Sequence, residues 1–182
     1  MKRAFFVVLC VALLVCRIES AFAQGSSTEM VEWPYVGADQ AASKYSPLAD
    51  INTENVDQLE IAWTWEPNEL PNQEFQTRPG SFEATPLMID NVIYLSTMYT
   101  RVIALDAETG QELWAFDPEA YRTGPRGAGP GGFKHRGVAV WGTGDEMRIF
   151  INSRDSLYSV DAASGTLISS FGQDGRVILT EG

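Results

Sequence analysis

From Glu60 onward, the chain alternates short runs of β-branched, aromatic and other apolar residues with turns rich in Pro, Asn, Asp and Gly. Runs of this length and composition are typical of β-strands. The pattern predicts strands over residues 61–66, 85–90, 92–97, 101–106 and 112–116. The Asp90-Asn91 pair and the Glu108-Thr109-Gly110 triplet predict hairpin connections, the second with a glycine where a positive φ is needed.

A helical pattern is nearly absent. The one candidate is a turn or two over residues 53–59, where Asn52 is placed to cap the helix and Glu54 would favour its positive end. We therefore expect an N-terminal lead-in segment, residues 24–60, that contains this short helix and precedes the strands.

The second half of the strand region repeats the first. The stretch Ala104-Leu-Asp106-Ala-Glu-Thr109-Gly110 recurs as Ser159-Val-Asp161-Ala-Ala-Ser164-Gly165, at an offset of 55 residues. Repeats of this period, with about four strands each, are typical of β-propeller blades. The sequence thus predicts an all-β chain in which residues 61–182 form about two four-stranded blades. Because two blades cannot close a ring, we expect the chain to be the N-terminal portion of a longer propeller.

The N-terminus has the layout of a secretory signal peptide. Lys2 and Arg3 form a basic start, residues 5–15 are an almost unbroken apolar run, and Ala21-Phe22-Ala23 supplies a small-x-small cleavage site. The apolar run is well under the ~20 residues that a transmembrane helix needs. We expect cleavage after Ala23, a periplasmic or secreted mature protein, and no membrane span in the mature chain.

Removal of residues 1–23 changes the composition in two ways. Cys10 and Cys16 both leave, so the mature chain has no thiol for a disulfide, a zinc site or a nucleophile. Three basic residues and one acidic residue also leave, which takes the formal net charge from −11 to −13. Such an acidic surface argues against nucleic acid or anionic lipid as a partner.

Several motifs, in order along the chain, carry a resemblance to a known family. The stretch Ala104-x-Asp106-x-x-Thr109-Gly110-x-x-x-Trp114 resembles the tryptophan-docking motif of the dehydrogenases that use pyrroloquinoline quinone (PQQ), in which the Trp packs between adjacent blades. Further stretches that look like the family are Trp33-Pro-Tyr35-x-Gly37, Lys44-Tyr45-Ser46-Pro47-Leu48, Phe82-Glu83-Ala84-Thr85-Pro86-Leu87, His135-Arg136-Gly137 and Phe171-Gly172-x-x-Gly175-x-Val177. The later motifs are closer to the glucose and polyol branch than to the alcohol branch. The resemblance implies the first blades of an eight-bladed β-propeller in an exported enzyme.

The resemblance also implies a chemistry. In the family, PQQ lies in the propeller channel beside a calcium ion, a carboxylate base takes the alcohol proton, and hydride passes to the quinone. Carried over by motif, Glu83 would hydrogen-bond the cofactor and Arg136 would lie near the reacting quinone oxygens. Ser153 lies near the position of a cofactor-binding Thr, in a segment one residue shorter than the family pattern. The implied partners are a small sugar, polyol or alcohol substrate and an electron acceptor, either a quinone or a cytochrome.

The catalytic base and the calcium ligands of the family lie beyond Gly182. No residue of this chain is therefore predicted to be catalytic or to bind a metal, and we expect the chain to be inactive alone. Two departures also stand out. The place of the adjacent cysteines of the alcohol branch is taken by Phe133-Lys134-His135, and the second blade has Ser169 where a docking Trp would be, unless Phe171 substitutes for it.

Each assignment has a plainer alternative. Without its context, Glu83 is a solvated residue at the start of a strand, and Arg136 is a surface partner of an acid. His135, the single histidine, is more often a polar contact than a catalyst in a loop. Trp33, Trp63, Trp65 and Trp141 are predicted to pack rather than to bind substrate.

Two function classes stay open on the sequence. The first is a PQQ-dependent dehydrogenase; the second is a non-catalytic propeller scaffold of the outer-membrane assembly type, which can share the Asp-x-x-Thr-Gly-x-x-x-Trp turn. The contexts of Glu83 and Arg136 favour the enzyme, since a scaffold has no need of such residues in a channel. A formal G-x-G-x-x-G match at residues 127–132 contains Pro130 and leads into a strand pattern, so no helix N-terminus is available there for a nucleotide phosphate.

Overall fold

The computed structural model describes residues 31–125 and 132–180, and the chain from Val31 onward forms one compact unit. The described residues contain two four-stranded antiparallel sheets, in which each strand pairs with the next one along the chain. The first sheet consists of β1 (Leu87–Ile89), β2 (Val92–Ser96), β3 (Val102–Asp106) and β4 (Glu112–Phe116). The second sheet consists of β5 (Ala139–Trp141), β6 (Arg148–Ser153), β7 (Ser156–Asp161) and β8 (Arg176–Ile178). Short 3₁₀ helices span Val56–Gln58, Ala120–Thr123 and Gly144–Glu146.

The connection between β1 and β2 is a tight two-residue hairpin. Asp90 and Asn91 both adopt left-handed φ values, 51° and 60°. Successive positive φ values define the hairpin turn that matches the twist of paired strands, and Asp and Asn tolerate them better than other side chains. Ile89 and Val92 face each other across the turn. The predicted hairpin is confirmed.

The predicted repeat corresponds to two turns of the same structure, at residues 106–110 and 161–165. Asp106 Oδ1 accepts hydrogen bonds from the Thr109 amide at 2.8 Å and the Thr109 hydroxyl at 2.7 Å. Asp161 Oδ1 accepts the same two bonds from Ser164, at 2.8 Å and 2.7 Å. In both turns the hydroxyl is the main cause that lowers the pKa of the aspartate. Thr and Ser are therefore interchangeable at this position because each supplies the same hydroxyl donor.

Trp114 of β4 links the two sheets by docking on the second turn. Its indole Nε1–H donates to the carbonyl of Ala162 at 3.0 Å. A Cβ added to Gly165 would lie 2.5 Å from the Trp114 ring, and Gly165 has a φ of 71°. Only glycine satisfies both the close approach of the ring and the positive φ. The predicted docking of Trp114 between neighbouring blades is confirmed.

Trp63 makes the equivalent contact on the first sheet. Its Nε1–H donates to the carbonyl of Ala107 at 3.1 Å, and a Cβ on Gly110 would lie 2.5 Å from its ring. The predicted packing role of Trp63 is confirmed. The lead-in chain is thereby held to the first sheet by the same interaction that holds the first sheet to the second.

The two sheets pack face to face around a shared apolar core. The buried members of this core are Leu87, Ile89, Tyr94, Val102, Ala104, Val138, Met147, Ile149, Ile151 and Ala162. Strand β3 is apolar at successive positions because both of its faces are covered. Val102 and Ala104 belong to the core between the sheets, whereas Ile103 and Leu105 are buried on the other face, near the Trp63 side chain. This alternation is the two-residue period of a strand, with an apolar environment on each side.

The strand predicted over residues 61–66 is wrong. This segment is extended, but it has no strand partner among the described residues, and Ile61 is 86% exposed. Trp63 and Trp65 nevertheless pack against the first sheet. Alternating burial can thus arise from docking side chains on a sheet face, whereas a strand also requires a hydrogen-bonded neighbour.

The helix predicted over residues 53–59 is shortened to the 3₁₀ turn Val56–Gln58. Asn52 does accept the Glu54 amide hydrogen at 2.8 Å through its side-chain oxygen, as a capping residue would. The following residues find no apolar surface to pack on, and Leu59 remains 58% exposed. The Asn52 bond lies before the turn, whose own N-cap, Asn55, makes no side-chain cap hydrogen bond, and a short helix without tertiary packing is marginal.

Three further aromatic residues, Trp33, Trp141 and Phe171, differ in how they contact the sheets. Trp33 forms a backbone bridge to Met88 of β1, and the residue is half-buried. Trp141 is 58% exposed, and the Arg148 guanidinium lies 5.5 Å from its ring centroid, so its predicted packing role is wrong within the described residues. Phe171 packs edge-on against Phe150 of its own sheet at 5.4 Å between centroids.

The predicted signal peptide, residues 1–23, lies outside the described residues, as do residues 126–131 of the glycine-rich stretch. In the described part of the chain, no helix has the length and apolar character needed to cross a bilayer.

We expect Gly165→Ala to lower the free energy of unfolding of the full-length protein by about 1–3 kcal/mol more than Gly124→Ala. Both glycines have positive φ, 71° and 81°, so alanine is strained at either position. Only at Gly165 does the new Cβ meet a ring, since nothing lies within 4 Å at Gly124. Urea unfolding followed by tryptophan fluorescence measures the difference, and equal losses would contradict the docking.

Candidate functional site

Glu83, in the segment that precedes β1, is held by two cations. Lys134 Nζ lies 2.9 Å from Glu83 Oε1, and Arg136 Nη2 lies 3.2 Å from Glu83 Oε2. The Ser81 hydroxyl also donates to Glu83 Oε1 at 2.7 Å. The structure therefore brings the predicted residues Glu83 and Arg136 together and adds Lys134. We call these three side chains the Glu83 cluster.

The electrostatics of the Glu83 cluster favour an anionic or carbonyl ligand. The Lys134 hydrogen bond, followed by the Ser81 hydroxyl, lowers the pKa of Glu83 below its ordinary value, so the carboxylate is ionised at neutral pH. Two positive charges and one negative charge leave the cluster with an excess positive charge. The Arg136 side chain is 85% exposed and meets Glu83 through one nitrogen, which leaves further N–H donors directed to solvent. Such donors suit carboxylate and quinone oxygens.

The two cations are carried by an extended segment, residues 133–136, which we call the strap. The strap is bonded to the chain before β1: the Gly80 amide donates to the Phe133 carbonyl at 2.7 Å and the Thr85 amide to the Arg136 carbonyl at 2.9 Å. Gly137 permits this close approach, because a Cβ there would lie 2.9 Å from the Thr85 carbonyl oxygen. Backbone hydrogen bonds thus fix the strap beside Glu83.

The residues of the strap alternate between two sides. Lys134 and Arg136 reach Glu83, whereas Phe133 is 1% exposed and buried. His135 Nδ1 lies 2.8 Å from the Ser96 hydroxyl, and its Nε2 lies 3.2 Å from Asn152 Oδ1. The polar-contact interpretation of His135 is therefore the one that its geometry supports.

Ser153 lies apart from the Glu83 cluster. Its hydroxyl is 2.5 Å from the hydroxyl of Thr100, and the residue is only 2% exposed. This buried pair joins the β2–β3 loop of the first sheet to the end of β6 in the second. No described contact links Ser153 to Glu83 or Arg136, so two of the three candidate residues meet and the third does not.

Lys134 is the member of the site that the sequence interpretation missed. A signal for it existed, since Lys134 and Arg136 are two residues apart and therefore share one side of an extended segment. The strap is not part of a named strand, however, and its extended form depends on backbone bonds to Gly80 and Thr85.

A cavity of about 590 Å³ lies elsewhere on the molecule and is lined in part by Asp90, Trp141 and Met147. Because Asp90 follows β1 and Glu83 precedes it, this cavity is at the opposite end of the strand from the Glu83 cluster. In residues 31–125 and 132–180, no three or more His, Cys, Asp or Glu side chains are grouped so that they could hold a metal ion.

Comparison with known proteins is consistent across sequence and structure. Residues 33–182 match a sequence model described as "PQQ: Glucose/ethanol/alcohol dehydrogenase, beta-propeller domain". The quinohemoprotein alcohol dehydrogenase of Comamonas testosteroni is 33% identical over 175 residues, which cover 93% of this chain and 23% of that protein. Quinoprotein glucose dehydrogenase A of Acinetobacter calcoaceticus is 30% identical over 172 residues, covering 82% of this chain and 20% of that protein.

The solved structures agree. The crystal structure of the Comamonas testosteroni quinohemoprotein alcohol dehydrogenase superposes with a TM-score of 0.61 at 27% identity, covering 96% of this chain and 23% of that one. The chain thus spans about a fifth to a quarter of the length of these relatives. Alcohol and glucose dehydrogenases match at similar identity, so these values do not separate the two branches.

Lys134→Met is expected to raise the pKa of Glu83 toward its ordinary value, because the lysine hydrogen bond is the largest cause that lowers it. A carboxylate with a lowered pKa stabilises the fold above the ordinary pKa range of Glu, and that contribution is lost as the pH falls through the lowered value. NMR titration of isotopically labelled glutamate carboxyls in the full-length protein measures the shift, with Glu83→Gln to assign the resonance. Lys44→Met is the matched control and should leave Glu83 unchanged; the same titration in both variants would contradict the assignment.

Proposed function

We propose that this chain, which belongs to the pyrroloquinoline quinone β-propeller family of glucose, ethanol and alcohol dehydrogenases, forms part of the cofactor site of an exported quinoprotein dehydrogenase. The full-length protein would oxidise a sugar, polyol or alcohol. Since the chain spans only about a fifth to a quarter of its relatives, the reaction is proposed for the longer protein and not for this segment alone.

The observation that carries the proposal is the Glu83 cluster itself. Two cations converge on one carboxylate at 2.9 Å and 3.2 Å, and the hydrogen bonds from Lys134 and Ser81 lower the pKa of that carboxylate. PQQ is a planar quinone that carries carboxylates, so it needs cationic donors as well as an acceptor for its ring N–H. The acceptor Glu83 and the cationic donors Lys134 and Arg136 fit those needs.

The chain's own residues would then divide the work of binding. When bound, PQQ supplies the two-electron acceptor for a hydride from the substrate. Glu83 would accept a hydrogen bond from the cofactor, and the free N–H groups of Arg136 would donate to its oxygens and stabilise negative charge there. Lys134 would hold the Glu83 carboxylate in place. Ser153 can join only as a second partner of a hydroxyl already bonded to Thr100, which the two acceptor lone pairs of a hydroxyl allow.

The remaining parts of the proposal rest on the resemblance. A calcium ion and the catalytic base would be held by residues beyond Gly182. The electron acceptor would be a quinone or a cytochrome. The mature protein would act in the periplasm or outside the cell after cleavage behind Ala23.

Glu83→Ala in the full-length protein should weaken PQQ binding by about ten- to a hundredfold, because it removes a hydrogen bond made by a charged group. Binding is measured by titrating the apoprotein with PQQ in the presence of calcium, and activity by the reduction of an artificial dye with sugars, polyols and alcohols. Glu74→Ala, at an exposed glutamate of the preceding loop, is the control and should change neither.

Unchanged PQQ affinity in Glu83→Ala would remove Glu83 from the site. If the wild-type protein neither bound PQQ nor reduced a dye with any of these substrates, the dehydrogenase proposal would fail and the non-catalytic scaffold would stand in its place.

A further inference from the structure

Glu69 is a half-buried carboxylate held by two donors from one loop. The Thr97 hydroxyl donates to Glu69 Oε1, and the Tyr99 amide donates to Glu69 Oε2 at 2.9 Å. The Tyr99 hydroxyl adds a third link, to the carbonyl of Leu70 at 3.2 Å. Burial raises the pKa of Glu69 despite these donors. A carboxylate kept in such a place is stabilised by its hydrogen bonds, so the loop and Glu69 constrain each other.

The loop that Glu69 holds is the tight connection between β2 and β3, residues 97–100. The Thr97 amide donates to Arg101 at 2.9 Å and the Thr100 amide to Thr97 at 3.1 Å, through the backbone carbonyls. Thr100 has a φ of 66°, an unfavourable value for a β-branched residue. Its hydroxyl contact with Ser153 and its burial help to hold this conformation. A loop with a strained residue needs external contacts to keep one shape.

This loop, in turn, contacts the buried side of the strap. The rings of Tyr99 and Phe133 meet edge to face at 5.2 Å between centroids. Just before the loop, the hydroxyl of Ser96 lies 2.8 Å from His135 Nδ1. The two inward residues of the strap are therefore both in contact with the end of β2 and the loop that follows it.

The outward residues of the same strap are Lys134 and Arg136, which bind Glu83. Because inward and outward residues alternate on one short extended segment, a shift of Phe133 or His135 moves the cations that flank them. A path of direct contacts thus runs from Glu69 through the loop and the strap to the Glu83 cluster.

We propose that Glu69 is a positioning residue for the Glu83 cluster: it fixes the 97–100 loop, and the loop fixes the strap that carries Lys134 and Arg136. The inference rests on the proposed function only where it concerns the cofactor. Glu69 itself makes no contact with the Glu83 cluster among the described hydrogen bonds and ion pairs.

Two substitutions separate this role from a general effect on stability. Glu69→Gln keeps both bonds, since its amide oxygen can accept from the Tyr99 amide while its NH₂ donates to the Thr97 hydroxyl. Glu69→Ala loses both. Glu74→Ala is the control for removal of an acidic side chain from the same surface segment.

The first measurement is amide hydrogen exchange in the full-length protein without PQQ. Glu69→Ala should raise exchange at least about tenfold at Tyr99 and also at the strap-bonded amides of Gly80 and Thr85. The Gly165 amide, bonded to Asp161 in the second sheet, should change little. Glu69→Gln should restore the wild-type rates. A rise at Tyr99 without any at Gly80 and Thr85, or an equal rise at Gly165, would overturn the proposal.

The second measurement is PQQ affinity of the same proteins in the presence of calcium. We expect Glu69→Ala to weaken PQQ binding by about tenfold and Glu69→Gln to stay within about twofold of wild type. An equal loss in both variants would show that the charge and not the position matters, which would also overturn the proposal. If wild-type protein bound no PQQ, the proposed function would fail, and the exchange rates alone would decide the positioning role.

Discussion

The contact on which the rest of this structure depends is a tryptophan ring seated against a glycine turn. Trp114 meets Gly165 and donates to the carbonyl of Ala162, and this contact joins the first sheet to the second. In each turn an aspartate accepts hydrogen bonds from the amide and the hydroxyl of a following Thr or Ser, and the glycine after that residue adopts a positive φ. Because the strap leaves the first sheet and leads into the second, the place of its cations follows from how the two sheets are docked.

The position of the Glu83 cluster also depends on how the strap is held. The strap has one inward side, with the buried Phe133 and the half-buried His135, and one side that faces Glu83. Packing on this side and the backbone hydrogen bonds from Gly80 and Thr85 together set the position of the two cations. The end of β2 and the loop that follows it contact the strap through the Ser96–His135 hydrogen bond and the Tyr99–Phe133 ring pair. Exposed ion pairs contribute little stability by themselves, and the Arg136 guanidinium, which is 85% exposed, keeps N–H donors that face solvent.

The sequence predicted the sheets well and the site only in part. Strands β2, β3 and β4 were recognisable as short runs of β-branched, aromatic and other apolar residues between turns that contain Asp, Asn and Gly. The segment 61–66 was wrongly predicted as a strand. Trp63 and Trp65 pack on the first sheet at a two-residue spacing, but the backbone of this segment has no partner strand among the described residues. The structure pairs Glu83 with Arg136, which the sequence had placed separately beside the cofactor, whereas the burial of Ser153 depends on tertiary contacts that no local pattern encodes.

The most direct test of the account is a crystal structure of the full-length protein with PQQ and calcium. The account predicts that the quinone cofactor lies within hydrogen-bonding distance of Glu83 and Arg136, with Trp114 still seated on Gly165. A cofactor bound elsewhere, with the Glu83 cluster still closed on itself and facing solvent, would contradict it.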